Sequence, residues 1–511
     1  MRIVFLYMGA ENLGVQYLSS VLKKNGHETF MVFDPALFND KYWLTINSLS
    51  KFFDQKKEII EKVISLKPDL VAFSVFTDCY KWASFIAKGV KQKLPNVPTI
   101  FGGIHPTSVP EEVIMEDFVD YIGVGEGEES LLEFVNKLEK KEDIRNIPGI
   151  WAKDSSTGLI YKNPIRVLSD NIDSIPYPDK EMFNPHLPIK NGYMIAASRG
   201  CPYSCTFCSN NLYNKIYKGN GKWLRRRSTE NIISELKEMK AKYNFDKVDF
   251  VDDIFTCHRD WLKEFLNVYK KEINLPFKCI THPHFMNDEI AIQLKSAGCY
   301  AVALGVQSTN ESYKLKVLKR YESNEKVKEA TLALKKSGIS VILQHIVGLP
   351  DETEQDLIEA ANFYIDLKPT RIECYTLAYF PATEIVDIAM ERGKIDKNIL
   401  KSINTGGENM YFDGGSLREK REQKQARSFS HLLSLVTFLP RQLSRFFVNT
   451  GIWKYFYLIP NGAVTLAEVG VVLVTREHRA INYIKYYINT SFSLFLKMIK
   501  KPAHMTTGLN K

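Results

Sequence analysis

Long apolar runs are missing from this 511-residue chain. No uninterrupted stretch reaches the ~18 residues that a membrane-spanning helix needs. No basic-then-apolar leader is visible either, because the opening MRIVFLYM runs straight into a strand-like pattern. A cytosolic protein is therefore expected. Cysteine is sparse: eight in so long a chain make no disulfide framework, and a reducing compartment suits them. Charge of one sign is also scarce. A net +9 over this length, without a concentrated basic face before residue 400, gives little reason to expect nucleic acid. Repeats and low-complexity tracts are absent. What remains is the composition of a globular protein, 45% apolar and 25% charged. It is too long for one ordinary core, so two or three domains are expected.

Against this sparse background one stretch stands out. Arg199 to Asn210 reads RGCPYSCTFCSN and places Cys201, Cys205 and Cys208 at C-x3-C-x2-C spacing. Thiolates are soft ligands that hold iron–sulfur clusters or zinc. A four-iron cluster has four corners, and three cysteines leave one iron open to a further ligand. Gly200 and Pro202 favour a tight wrap over a helix. The competing readings are a zinc knuckle lacking its fourth ligand, or free thiols at an accidental spacing. A closed zinc site needs four ligands, usually two pairs, and no second pair follows.

Before this loop, strand-like runs at Ile3–Tyr7, Thr29–Phe33, Leu70–Val75, Thr99–Phe101 and Asp120–Val124 alternate with helix-period segments ending near Lys24, covering Lys56–Leu66 and starting at Ser130. That alternation predicts a parallel, doubly wound sheet over 1–140. Ligands of such sheets sit at the carboxyl ends of the strands. The small or glycine-containing turns at Gly9–Gly14, Ser74–Thr77, Gly102–His105 and Gly125–Glu128 fall on that edge. No G-x-G-x-x-G follows the first strand, so a dinucleotide site is poorly supported. Residues 141–190 carry prolines, mixed charge and short strand pieces such as Gly149–Ala152, which suits a linker with a small hairpin.

From 191 to 395, runs at Tyr193–Ser198, Lys247–Asp252, Phe277–Thr281, Ala301–Gly305, Val341–Val347 and Ile372–Leu377 alternate with helix-period segments, among them Glu230–Tyr243, Arg259–Ile273 and Glu354–Leu367. Six strand–helix units predict a partial parallel barrel, with functional residues on loops at the strand carboxyl ends. Thr353 with Asp356 three residues on reads as a helix cap. Arg225-Arg226-Arg227 is either a solvated charge run or an anion site. The last region, 396–511, is basic and helical in pattern over Ser416–Phe447. Ile452–Ile459 and Tyr483–Ile499 there are rich in aromatics. It reads as a helical cap over the barrel, or as an amphipathic surface resting on membrane headgroups.

The cysteine spacing, with Phe207 just before the last cysteine, resembles the radical S-adenosylmethionine (SAM) superfamily. The preceding domain resembles the cobalamin-binding domain found ahead of the barrel in many such proteins, most closely at Gly102-Gly103-Ile104-His105-Pro106-Thr107 and Gly125-Glu126-Gly127-Glu128. The expected fold class is α/β: a Rossmann-like cobalamin domain, a partial (β/α)6 radical SAM barrel and a helical C-terminal region. The resemblance implies a [4Fe-4S] cluster on Cys201, Cys205 and Cys208, and SAM at the cluster's open iron. SAM would meet Asp252, Asp253, Gln307, Ser308, Ile346 and Gly348. Gln307 stands where relatives often carry Glu. Cobalamin would meet Gly14, Ser74, Gly102, Gly103, His105, Gly125 and Glu126. The D-x-H-x-x-G motif is absent, so no axial histidine is expected from it.

The implied activity is C-methylation of an unactivated carbon through a 5′-deoxyadenosyl radical. A non-methylating cyclisation or rearrangement, and a non-catalytic iron–sulfur or cobalamin sensor, stay open. No individual catalytic side chain is singled out. The implied partners are a small-molecule or lipid-like substrate and a reductant such as flavodoxin or ferredoxin, with peripheral membrane contact as a further option.

Overall fold

The computed structural model describes residues 1–39, 47–407, 415–460 and a few isolated positions between 470 and 492. Its first sheet has seven strands in the order β2-β1-β3-β4-β5-β6-β7. These are β1 (Arg2–Met8), β2 (Glu28–Asp34), β3 (Leu70–Ser74), β4 (Thr99–Gly102), β5 (Tyr121–Gly123), β6 (Ile150–Lys153) and β7 (Ile160–Tyr161). The first five run parallel, and the last two close the sheet antiparallel. The hairpin read from the linker is therefore part of this sheet. A near-continuous apolar run such as Ile3–Tyr7 is what a strand covered on both faces requires. Two clusters fill those faces: Val4, Leu6, Phe73 and Phe101 lie on one, and Ile3, Phe5, Leu70 and Phe134 on the other.

The second sheet is the barrel, in the order β15-β14-β13-β12-β11-β8, with every pairing parallel. Its strands are β8 (Tyr193–Ile195), β11 (Val248–Phe250), β12 (Phe277–Thr281), β13 (Cys299–Gln307), β14 (Ser340–Val347) and β15 (Arg371–Thr376). A short antiparallel ribbon of β9 (Ser198–Arg199) and β10 (Arg225–Arg226) stands at the exit of β8 and flanks the cysteine loop. The helices begin where local chemistry stops the strands. Ser228 caps Thr229–Tyr243 by accepting from the Asn231 N–H. Thr353 and Asp356 form a reciprocal capping box at Glu354–Leu367.

The region after 395 divides in two. Helix Lys420–Val436 ends ahead of Pro440, and Arg441–Asn449 follows. Both pack on the barrel, where Phe429, Leu432, Leu433, Val448, Trp453 and Phe456 join its core. Each such buried side chain contributes about 1.5–3 kcal/mol, so this segment completes the barrel. Helix Lys397–Asn404 packs Ile403 beside Ile346 and Leu377 of the barrel and also reaches back to the first domain: Asn404 Nδ2 donates to Glu112 Oε1 at 2.9 Å. The aromatic stretch Tyr483–Ile499 lies largely outside the described residues. Among the described residues no helix is long and apolar enough to cross a membrane.

Candidate functional site

The loop after β9 bends through Gly200 at φ 85°, where a Cβ would collide with the Trp223 carbonyl. Only glycine fits there. The three thiols then follow. Thr206 fixes the middle of the loop: its N–H donates to Leu318 O at 3.2 Å and its hydroxyl to Val317 O at 2.8 Å. Phe207 packs with Ile346, Leu349 and Leu377, which ties the loop to the end of β14. Asn211 Nδ2 closes the loop by donating to Ser204 O at 2.9 Å.

Burial pushes the Cys201 thiol up to about 12 and the Cys208 thiol up to about 11, and it raises Cys205 as well. Cys205 acts on both of the others and Cys208 acts on Cys201, so the three share one site. Metal binding would have to displace their protons. Among the described residues no three His, Cys, Asp or Glu groups converge tightly enough for a single ion. A cubane, in which each thiolate holds its own iron, needs no such convergence.

Ionisable groups crowd this rim. Asp252, buried at the end of β11, accepts from Ala197 N at 3.0 Å and from Ser198 Oγ, so both its oxygens tie β11 to β8 and β9. Asp253 points to solvent beside Asn210, in the field of Cys201 and Cys208. The adjacent aspartates thus do different work. Gln307 sits at a bulge in β13 with φ 67°, a strained backbone for a non-glycine residue. Ser308 is buried beside it, and its hydroxyl accepts from Asn310 N at 3.3 Å. Gly348, at φ 81°, donates its N–H to Glu352 at 2.7 Å and lies under Leu417.

A buried charge cluster was not legible from the motifs. Arg320 donates to Gly305 O at 2.6 Å and to Glu322 at 2.8 Å, and its Nη1 lies 3.9 Å from Cys205 Sγ. Glu322 lies 3.2 Å from His282 Nε2, and His282 stacks on Tyr203 inside the cysteine loop. Burial opposes the Glu322 charge, but His282 and Arg320 hold its carboxyl down to about 2.

The carboxyl edge of the first sheet is built differently. Gly103, at φ 97°, sits where a Cβ would lie 2.9 Å from Val75 N and O. His105 N donates to Val75 O, and Gly125 N to the Thr107 hydroxyl, so three turns are knitted into one rim. Gly14 is exposed and Gly102 has no atom closer than 4.0 Å to its missing Cβ, so this edge offers bare main chain to a large ligand. Ser74 is half-buried beside Gly103. His105 is tucked away: Nδ1 lies 3.1 Å from Thr77 Oγ1, the ring leans on Tyr80, and burial drives it down to about 3, so it is neutral. The other histidine of residues 1–140, His27, is buried against Asn136.

The two edges are clamped together. Glu126 accepts from Arg225 and lies 3.0 Å from Arg199, while its N–H donates to the Tyr217 hydroxyl at 2.7 Å. Glu128 accepts from Arg199 at 2.5 Å. Glu126 thus spends its carboxylate on the strands that carry the cysteine loop. Lys180, fully buried, adds a second tie through Glu11 at 2.8 Å and Met194 O at 2.7 Å.

Comparison with known proteins fits this arrangement. The B12 binding domain family matches residues 6–135, and the radical SAM superfamily matches residues 195–364. Together they cover more than half of the chain. The chain belongs to the cobalamin-dependent radical SAM family. Among similar proteins, an uncharacterized methyltransferase of Pyrococcus horikoshii is 26% identical over 77% of this chain and 80% of its own length. An anaerobic magnesium-protoporphyrin IX monomethyl ester cyclase of Rubrivivax gelatinosus is 27% identical over 72% of this chain and 66% of its own. The solved radical SAM enzyme OxsB, with aqua-cobalamin and SAM bound, superimposes with a TM-score of 0.65 at 14% identity, covering 97% of this chain and 80% of that one. This chain is a radical SAM enzyme, a class that acts on small molecules and needs a reductant.

Proposed function

We propose that this enzyme methylates an unactivated carbon of a small molecule, using SAM, a [4Fe-4S] cluster and cobalamin. When bound, the cluster with SAM supplies a carbon-centred radical oxidant, and cobalamin supplies the methyl group. One observation supports this reading above the rest: Arg199 and Arg225 pin the glycine edge of the B12 domain onto the ribbon that carries the three cysteines. Groups held at the two edges would then lie close to one another. The methyltransferase relative favours this over the alternative, which the cyclase relative keeps in view.

The residues divide the work. Cys201, Cys205 and Cys208 would hold the cluster, which together with SAM would supply the radical chemistry. Asp253 receives the SAM ammonium, while Asp252 fixes the turn beneath it. Gln307, Ser308, Ile346 and Gly348 wall the nucleoside. Gly14, Ser74, Gly102, Gly103 and Gly125 offer main chain to cobalamin. His105 and Glu126 support that rim without touching the metal. Functionally, residues 1–140 with the hairpin of 150–161 form the B12 domain, the rest of 141–190 the connection, 191–395 the radical domain and 396–511 its helical cover, in a cytosolic enzyme. The test is anaerobic reconstitution with iron, sulfide and hydroxocobalamin, then methyl-deuterated SAM and a reductant. Label moving from SAM onto cobalamin supports methyl transfer. SAM cleavage with no label leaving it would favour cyclisation.

A further inference from the structure

The arginine run resolves into unequal parts. Alternation along β10 and the turn after it buries Arg225 and Arg227 and leaves Arg226 half-buried on the opposite face. Arg225 pairs with Glu126, and Arg227 Nη2 pairs with Glu235 at 2.6 Å. Arg226 makes no ion pair among the described residues. Its Nη2 donates to Cys257 Sγ at 3.0 Å, while Nε and Nη1 are buried without a partner. The guanidinium lies 4.2 Å over the Trp261 ring. Trp261 is itself locked, with Nε1 donating to Arg227 O at 3.2 Å and the ring stacked on Phe265 at 4.8 Å.

Arg226 lines a cavity of about 380 Å³ together with His258, Arg259, Asp260 and Trp261. These residues form the start of helix Arg259–Glu272, whose N-cap His258 makes no side-chain cap bond. The cavity thus joins an unpaired guanidinium, a second arginine and an uncapped helix start, against one carboxylate, that of exposed Asp260. The other carboxylate acting on Arg226, Asp252, has both oxygens committed to Ala197 and Ser198. Donors left unpaired in a buried setting carry a desolvation cost that a bound oxyanion would repay. Stacking on Trp261 fixes the guanidinium plane and leaves its edges for oxygen.

We propose that this cavity binds an anionic oxygen group, carboxylate or phosphate, carried by the substrate. The substrate assignment rests on the radical SAM reading, because Arg226 acts on Asp252, and the adjoining Asp253 acts on two cluster cysteines. The site would set which molecule is presented and would do none of the chemistry. The test is calorimetric titration of the anaerobically purified full chain with inorganic phosphate and, separately, acetate at constant ionic strength. Saturable binding of either is expected, and the tighter of the two names the group. Arg226→Gln should weaken that binding by at least about tenfold, the effect of one charge-assisted hydrogen bond. Arg226→Lys, which keeps the charge, should lie between. If Arg226→Gln fails to melt cooperatively, Arg226→Lys decides: affinity equal to wild type overturns the proposal. So does the absence of binding by either anion. Iron content and SAM cleavage are read separately, so loss of those with anion binding intact strikes the enzymatic reading and spares the cavity.

Discussion

The two carboxyl edges of this molecule do opposite things with the same parallel-strand architecture. The edge of the first sheet is made by leaving side chains out: Gly14 and Gly102 leave room, Gly103 fits only as glycine against Val75 and Gly125 only as glycine under Tyr217, and His105 is turned inward. The barrel edge is made by putting side chains in: three thiols, two aspartates and the Arg320–Glu322–His282 cluster stand within a few residues of one another. A large ready-made cofactor needs room and hydrogen-bonding main chain. A cluster needs ligands and a controlled field. The lesson is that ligand size can be read from what an edge omits.

The sharpest way to break the contrast is at the thiols. Replacing Cys201, Cys205 and Cys208 with alanine should abolish iron retention and SAM cleavage while leaving cobalamin binding, measured by its visible spectrum. Next is the clamp. Glu126→Ala strands buried Arg225 without its carboxylate, and breaking such a pair costs about 3–5 kcal/mol, trimmed here because Glu126 is 23% exposed. A lower melting temperature and faster proteolysis near residues 141–190 should follow. On the glycine edge, Gly103→Ala forces an L side chain to φ 97° and into Val75. It should cost about 1–3 kcal/mol and weaken cobalamin uptake without changing iron content.

A fourth substitution sharpens the barrel side through pH. Burial raises the Glu352 carboxyl to about 8, above its unfolded value, so wild type loses stability as pH climbs from about 4.5 to 8. Glu352→Gln removes that loss. Its melting temperature should match wild type near pH 4.5 and exceed it increasingly up to pH 8; a pH-independent difference would count against the buried carboxyl. The smallest effect belongs to the capping box, where Thr353→Ala should cost about 1 kcal/mol in chemical denaturation and leave SAM cleavage unchanged.

The sequence carried most of this architecture because local signals were unusually consistent. Phe277–Thr281 is a strand at the bounds its apolar pattern implies, and Glu354–Leu367 starts where its cap says. The cysteine loop was legible because its spacing is itself the chemistry. Long-range pairings were not. That Arg225 would meet Glu126 across 99 residues, or that His282 would brace Glu322 and Arg320, depends on how strands align in space, and no periodicity records it. The basic, aromatic segment after 415 was open to two readings. Its inward face, with Phe429 and Trp453, fills the barrel core, while Phe446 and Tyr455 face outward.

Helix Lys397–Asn404 has a consequence of its own. It touches Glu112 through Asn404 and sets Gly406 against Thr77 and Tyr80 of the opposite domain. The spacing between the thiol edge and the glycine edge is therefore gauged in part by a helix seated on the barrel through Ile403 and touching the other domain. Lengthening or shortening that helix by one turn would shift the two edges against each other while leaving each of them unchanged.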